Sequence, residues 1–215
     1  MNETLRLYRD RVLEKNRFLN LTAITDKEEF DQKNINDSLK LLEFHCFMPG
    51  EKVLDLGTGA GLPGIPLAIM VPDIEVTLVD ARQKKIKFLQ ELLTELDLSN
   101  VKAIAARAEE LGRNPIYRES FDTVVTRALA PLNVLLEYSI PLLRRGGLLF
   151  AYKGPKGEEE LKQAKKALKL LKTMHMHTHT YQLSEAQLSL MVFQKEGDTP
   201  KMYPRTSGTP TKKPL

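Results

Sequence analysis

VLDLGTGAGLPGIPLAIM, residues 53–70, is the stretch whose reading decides the fold. Its first four residues form a short apolar run closed by glycine, the pattern of a strand buried on both faces. Gly57, Gly59 and Gly61 then recur at alternate positions, so the backbone can turn sharply and approach a ligand closely. Pro63 and Pro66 suit the first turn of a helix, where backbone N–H groups lack partners, and such exposed N–H groups favour an anionic group. Strand, glycine turn and helix, in that order, begin a β-α-β unit.

The same alternation extends downstream. VTLVD (76–80) is a second apolar run, followed by KKIKFLQELLTEL (84–96) at helical spacing. VKAIAA (101–106), FDTVVTRA (121–128), a helix around residues 133–143 and GGLLFAYKG (146–154) continue it. Strands separated by helices pair in parallel and are covered on both faces. MHMHTHTYQL (174–183) and LSLMVFQKE (188–196) have no helix between them and are expected to form an antiparallel hairpin. The expected architecture is therefore α/β, a mostly parallel seven-stranded sheet with a C-terminal hairpin.

Upstream, Leu5, Tyr8, Val12 and Leu13 predict an amphipathic helix ending before NLTAI (20–24). A second helix is expected over about 27–45, with Ile35, Leu39, Leu42 and Phe44 toward the core. The chain thus divides into an N-terminal helical extension (1–48), a core (49–198) and a tail (199–215), within one structural domain. Four of the twelve prolines fall in that tail, which shows no hydrophobic periodicity and reads as extended rather than helical.

At 215 residues, 42% hydrophobic and 28% charged, the chain is long enough to bury a core without disulfides or a structural metal. Cys46 is the one cysteine, and beside Phe47 and Met48 it reads as a small buried apolar group. The charged N-terminus lacks the apolar stretch of a signal peptide and no run reaches membrane-spanning length, so a cytoplasmic location is expected. The net charge of +4 is concentrated late in the chain. Lys201, Arg205, Lys212 and Lys213 carry the tail without any acid, and residues 152–173 hold seven lysines against Glu158, Glu159 and Glu160. Such clustering suits a polyanion such as RNA; the alternative for the lysines of 161–172 is the wet face of a helix whose apolar stripe is Leu161, Ala164, Leu168 and Leu171. His175, His177 and His179 alternate and would share one face of a strand, yet no acid or cysteine lies nearby to complete a metal site, so no metal is expected.

Spacing separates two classes of nucleotide-like ligand. The dinucleotide fingerprint requires glycines at the first, third and sixth positions, and counting from Gly57 the sixth is Leu62. The G-x-G-x-G actually present, preceded by an acid on the strand, resembles the first motif of S-adenosylmethionine-dependent methyltransferases, whose fold is Rossmann-like. Asp80, closing the second strand, supplies a carboxylate for ribose hydroxyls; the alternative is that it caps the helix that follows.

The run VLDLGTGAGLPGIPLAI, with NLTAI and INDSL upstream and VTRALAPL, AYKG and YPRTSGTPTKKPL downstream, resembles the 16S ribosomal RNA guanine-N7 methyltransferase family, glucose-inhibited division protein B, from about Asn16 to Leu215. The resemblance implies a class I methyltransferase using S-adenosyl-L-methionine, with 16S ribosomal RNA of the small subunit as partner; a monomer is the expected working form, although no residue in the sequence shows the oligomeric state. It places Gly57 and Leu62, Ala108 and Glu109 in ARAEEL, and Arg127 in TRALAPL at cofactor-contacting positions, beside Gly59 and Asp80 from the motif itself. Lys153 in AYKG and Arg127 are candidates for substrate or phosphate, with ordinary strand-end cations as the alternative. Asn34 stands where the family usually has histidine, and Lys15 where it often has tryptophan.

Guanine N7 carries a free lone pair, so transfer to it needs no general base, and the residues need only hold sulfur, methyl and N7 in line. Lys201, Arg205, Lys212, Lys213, Arg127 and Lys153 are the RNA-gripping candidates; Tyr152 and Tyr203 are candidates for stacking on a base, or for the core and an anchor of the tail. Two other functions fit less of the sequence: a methyltransferase of a non-RNA substrate, and a non-catalytic small-subunit assembly factor. Deletion of 201–215 is expected to abolish RNA binding and spare cofactor binding.

Overall fold

The computed structural model describes residues 2–215, which divide into two compact units that meet at 105/106 in the sequence. In the first unit, the strands β1 (Lys52–Leu56), β2 (Glu75–Asp80) and β3 (Val101–Ala105) pair in parallel in the order β3-β2-β1. Val53, Leu54 and Leu56 are all buried, which is why β1 reads as a continuous apolar run rather than an alternating one. The helix α1 (Glu3–Leu19) opens the unit; Asn2 caps it by accepting the Thr4 amide, and its stripe of Leu5, Tyr8 and Val12 is buried. The crossovers between the strands are α4 (Gly64–Met70) and α5 (Gln83–Glu95), the latter burying Ile86, Phe88, Leu89, Leu92 and Leu93.

The segment expected as one helix over 27–45 is instead a chain of short turns. The one-turn helix α2 (Lys27–Phe30) passes into a π-helical turn, Asp31–Asn36, then α3 (Asp37–Leu39) and a 3-10 turn, Lys40–Glu43. A π turn spans an extra residue, so the buried stripe changes phase. Phe30 and Ile35, five apart, are both buried; Leu41 takes the place expected for Leu42, and Phe44 lies exposed. The π turn also buries the polar Asn34, and α3 after it buries Asp37 and Ser38. Cys46, expected inside, is exposed, because the chain has already left the helical segment there.

In the second unit, β4 (Phe121–Arg127) pairs in parallel with β5 (Leu143–Lys153), and β7 (Ala186–Lys195) runs antiparallel to both β5 and β6 (Thr173–Leu183), giving the order β4-β5-β7-β6. The helices are α6 (Ala108–Leu111), α7 (Leu132–Ser139), α8 (Gly157–Gln163), α9 (Lys165–Leu170) and α10 (Thr209–Lys212). Among the described residues there are seven strands, three in parallel in the first unit and, in the second, a parallel pair followed by the antiparallel closing hairpin, as the alternation of apolar runs implied.

Three details of this unit differ from expectation. The lysine-rich segment breaks at Ala164 into α8 and α9, and buries Ala164, Ala167 and Leu171 while its lysines stay wet. The tail is not wholly extended, since Thr209–Lys212 form a helical turn after Gly208, with Pro210 in its first turn where the missing N–H matters least. The three histidines do not share a face. A bulge pairs His175 with Phe193 but His177 with Val192, so His175 packs 5.2 Å from the Phe193 ring while His177 and His179 lie together, 4.5 Å between centroids. Among the described residues no group of three or more metal-binding side chains is assembled.

Candidate cofactor and RNA sites

The loop after β1 is held from below by one carboxylate. Asp55 is fully buried, and its Oδ2 accepts the Thr58 hydroxyl at 2.6 Å and the Gly64 N–H at 2.8 Å, so both ends of the turn hang on a single oxygen. The N–H groups of Gly57 and Thr58 both donate to the Val79 carbonyl, tying the turn to the end of β2. From the side, the buried Tyr8 donates its hydroxyl to the Ala60 carbonyl at 3.0 Å. The glycines have separate tasks. A Cβ on Gly64 would meet Leu78 at 2.5 Å and Asp55 Oδ2 at 2.8 Å, so it is glycine because the helix start packs on the strands. Gly59, at φ +58°, has nothing but the Gly57 carbonyl oxygen within 4 Å of such a Cβ, which leaves its backbone open to an approaching group.

Asp80 stands at the same turn. Its Oδ2 accepts the Gly59 N–H at 3.2 Å and its Oδ1 the Arg82 N–H at 2.8 Å, so it does not cap α5, whose N-cap position is Arg82 itself. Each carboxylate oxygen keeps a lone pair for a further donor, the requirement for gripping a diol. Burial lowers the pKa of Lys85 on α5, and the neighbouring Asp80 charge works against that shift. The structure thus brings together Gly57, Gly59, Leu62 and Asp80. An open glycine backbone beside a half-buried carboxylate fits the sugar end of S-adenosylmethionine.

In the second unit, Ala108 and Glu109 open α6 immediately after the 101–106 run, where the sequence put them. Glu109 is buried, and its Oε1 accepts the N–H of Gly208 from the tail at 2.8 Å. Arg127 ends β4, opposite Tyr152 in the register, half-buried beside Lys153 at the end of β5. Lys153 is already engaged. Its ammonium donates to Glu160 at 2.7 Å and to the Ala130 carbonyl at 2.8 Å, and the same Glu160 oxygen caps α7 by accepting the Leu132 N–H.

The tail candidates separate into two groups. Lys201, Lys212 and Lys213 are exposed. Arg205 is not a free cation, contrary to expectation: its Nε and Nη2 meet the two oxygens of the fully buried Glu137 at 2.9 and 2.6 Å, and its own N–H donates to Glu137 as well. Tyr152 and Tyr203 are both buried, so neither offers a ring face for stacking. Sequence reasoning missed the carboxylates that do this work. Glu137 reads in LNVLLEYS as a solvent-side residue of a helix, and no local signal marks it as the partner of an arginine 68 residues later.

This arrangement of strands and glycine loop is the class I methyltransferase fold. It aligns with the crystal structure of M. jannaschii TYW2 in complex with AdoMet at TM-score 0.59 and 17% identity, over 76% of this chain and 77% of that one. It aligns equally with a "predicted O-methyltransferase", protein Atu636 from Agrobacterium tumefaciens, at TM-score 0.59 and 20% identity over 76% and 82%. The family model GidB, rRNA small subunit methyltransferase G, matches residues 1–190, and the chain belongs to that family. Ribosomal RNA small subunit methyltransferase G of Desulfitobacterium hafniense (strain Y51) is 45% identical, across 99% of this chain and 89% of its own length. The protein of the same name from Lactobacillus johnsonii is 45% identical across 97% and 89%. The protein is therefore an S-adenosylmethionine-dependent methyltransferase.

Proposed function

We propose that this chain transfers a methyl group from S-adenosylmethionine to N7 of one guanine in 16S ribosomal RNA, acting as a cytoplasmic monomer. The observation that carries the reading is the glycine turn pegged by Asp55 with Asp80 beside Gly59, in a chain of the small-subunit methyltransferase family. Among the described residues no helix is long and apolar enough to cross a membrane.

When bound, S-adenosylmethionine supplies an electrophilic methyl group on a cationic sulfur. The chain's own residues bind and orient. Asp80 accepts the ribose hydroxyls, Gly57, Gly59 and Leu62 line the turn, and Ala108, Glu109 and Arg127 complete the set that the family motif assigns. No side chain has to remove a proton, because N7 carries none, and in-line positioning is the source of the rate. N7 faces the deep, narrow groove of A-form RNA, so the target guanine lies in a loop or an opened region. Lys201, Lys212 and Lys213, with Arg127, grip phosphates, which makes RNA binding salt-sensitive. Lys153 and Arg205 are left out of that set because each already serves a carboxylate.

Incubation of the purified protein with methyl-labelled donor and small ribosomal subunits, followed by digestion of the RNA, tests donor, acceptor and atom together. Labelled 7-methylguanosine from 16S RNA is expected. Label on another base or on protein, or no label at all, would sink the proposal.

A further inference from the structure

We infer that residues 199–211 are a strap that sets the position of Glu109, with Arg205 and Glu137 as its positioning pair, so that the C-terminus governs uptake of the methyl donor. The inference rests on the reading that Ala108 and Glu109 contact that donor.

The strap is fastened along its whole length, each time by a side chain of the body of the second unit. Thr199 donates its N–H to Glu119 at 3.0 Å, and its carbonyl accepts from Arg118 at 2.9 Å. Arg118 also donates to the Tyr203 carbonyl, and Arg113 to the Pro204 carbonyl, both at 2.8 Å. Arg205 then forms its two-point pair with Glu137. Three residues on, Gly208 gives its N–H to Glu109, and Thr211 meets the Tyr138 hydroxyl at 2.9 Å.

Glu137 is the residue that makes this arrangement obligatory. A carboxylate with no exposed surface is stable as an anion only if it is paired and hydrogen-bonded, and Arg205 supplies the guanidinium and its own amide at once. The pairing in turn raises the Arg205 pKa, chiefly through the hydrogen bond, and keeps the guanidinium charged. Glu137 and Tyr138 are consecutive on α7 and hold the strap on either side of Gly208. Burial raises the Tyr138 pKa and keeps its hydroxyl protonated. Gly208 sits at φ +80°, in the left-handed region, and its amide has one acceptor to reach, the buried Glu109. Pro200, Pro204 and Pro210 stiffen the segment, so a shift at Arg205 is carried to Gly208 rather than absorbed. Release of Arg205 therefore withdraws the Gly208 amide from Glu109 and frees the start of α6.

This reverses the expectation that loss of residues 201–215 spares donor binding. Titration calorimetry of the full chain with S-adenosylhomocysteine, well below the unfolding temperature, tests it. Arg205→Ala should weaken uptake roughly tenfold. Arg205→Lys, which keeps the charge but not the two-point fit, should recover part of the loss. In a Glu109→Ala background, Arg205→Ala should add nothing, because the strap acts through Glu109; a merely structural role would give additive losses. Should Arg205→Ala not fold, Thr211→Val, which removes the Thr211 hydroxyl that meets Tyr138 and leaves the Tyr138 hydroxyl beside Glu109 in place, should weaken uptake a few-fold. Unchanged affinity in the variant that folds, or additivity in the double variant, overturns the inference. Asp80→Ala separates the two readings: lost uptake there with unchanged uptake in the Arg205 variants overturns the strap alone, while normal uptake in Asp80→Ala removes the donor seat on which the strap depends.

Discussion

The glycine turn at 57–64 and the C-terminal segment at 199–211 are built by the same device at opposite chain distances. Both are irregular, rich in glycine and proline, and pinned by buried carboxylates that accept backbone N–H groups. Asp55 reaches donors three and nine residues away, whereas Glu137 and Glu109 reach donors 68 and 99 residues away. The turn is thus a property of one strand and the helix it feeds. The strap exists only once the second unit has folded, and its ordering must be driven by the burial of charges the body would otherwise leave unpaired.

The largest effect is expected at the local peg. Asp55→Ala leaves the buried Thr58 hydroxyl and the Gly64 N–H without their acceptor. At about 1–3 kcal/mol for each of the two orphaned groups, the loss of stability is about 2–6 kcal/mol. Urea denaturation should show it, and calorimetry should find donor uptake gone, because the turn loses both of its ends. A variant that keeps normal stability would mean that the turn is held by its glycines and the Val79 carbonyl alone, and the parallel with the strap would fail.

The chain distances also explain what the sequence made legible. The β-α alternation, the turn, Asp80 and the closing hairpin are local patterns, each decided by hydrophobic period and by glycine within about ten residues. They appear in the structure where the residues put them. What stayed hidden is set by tertiary pairing. Arg205 reads as a free tail cation until Glu137 is found against it. Lys153 reads as a strand-end cation aimed at substrate until Glu160, which also caps α7, is found against its ammonium. The π turn at 31–36 was invisible for another reason: a one-residue shift of phase leaves composition and spacing nearly unchanged, and it shows only in Leu41 being buried where Leu42 was expected.

The strap should be the part that acid loosens. Glu119, which holds Thr199 at its start, has its pKa lowered: burial pushes it up, but hydrogen bonds from Lys195 and the Thr199 amide, with the charges of Lys195 and Arg118, outweigh that. A carboxyl depressed in the folded state contributes stability that is complete above the ordinary value of 4.5 and is lost as pH falls through the folded value. The buried Lys195 has the same sign of linkage in a more alkaline window. Burial lowers its pKa, so the folded state sheds that proton first and stability rises with pH between the lowered value and 10.5. Denaturation midpoints across the acid range should therefore fall less steeply in Glu119→Gln than in the natural chain. An identical slope in the two proteins would remove Glu119 from the fastening.

The smallest effect on the fold, and the finest division within the tail, is expected for its exposed lysines. Lys201, Lys212 and Lys213 meet water where Arg205 meets a buried carboxylate, so replacing all three by alanine should change stability by no more than about 0.5 kcal/mol and leave uptake of S-adenosylhomocysteine unaltered. Their contribution should appear only against RNA. For every phosphate no longer neutralised, the slope of log affinity against log salt falls by about 0.7 on a single strand, so the triple variant should bind more weakly at low salt and with a shallower slope. If instead the slope is unchanged, the exposed lysines of the tail do not touch RNA; if donor uptake falls with it, the tail cannot be divided into a buried strap that positions Glu109 and exposed lysines that meet the nucleic acid.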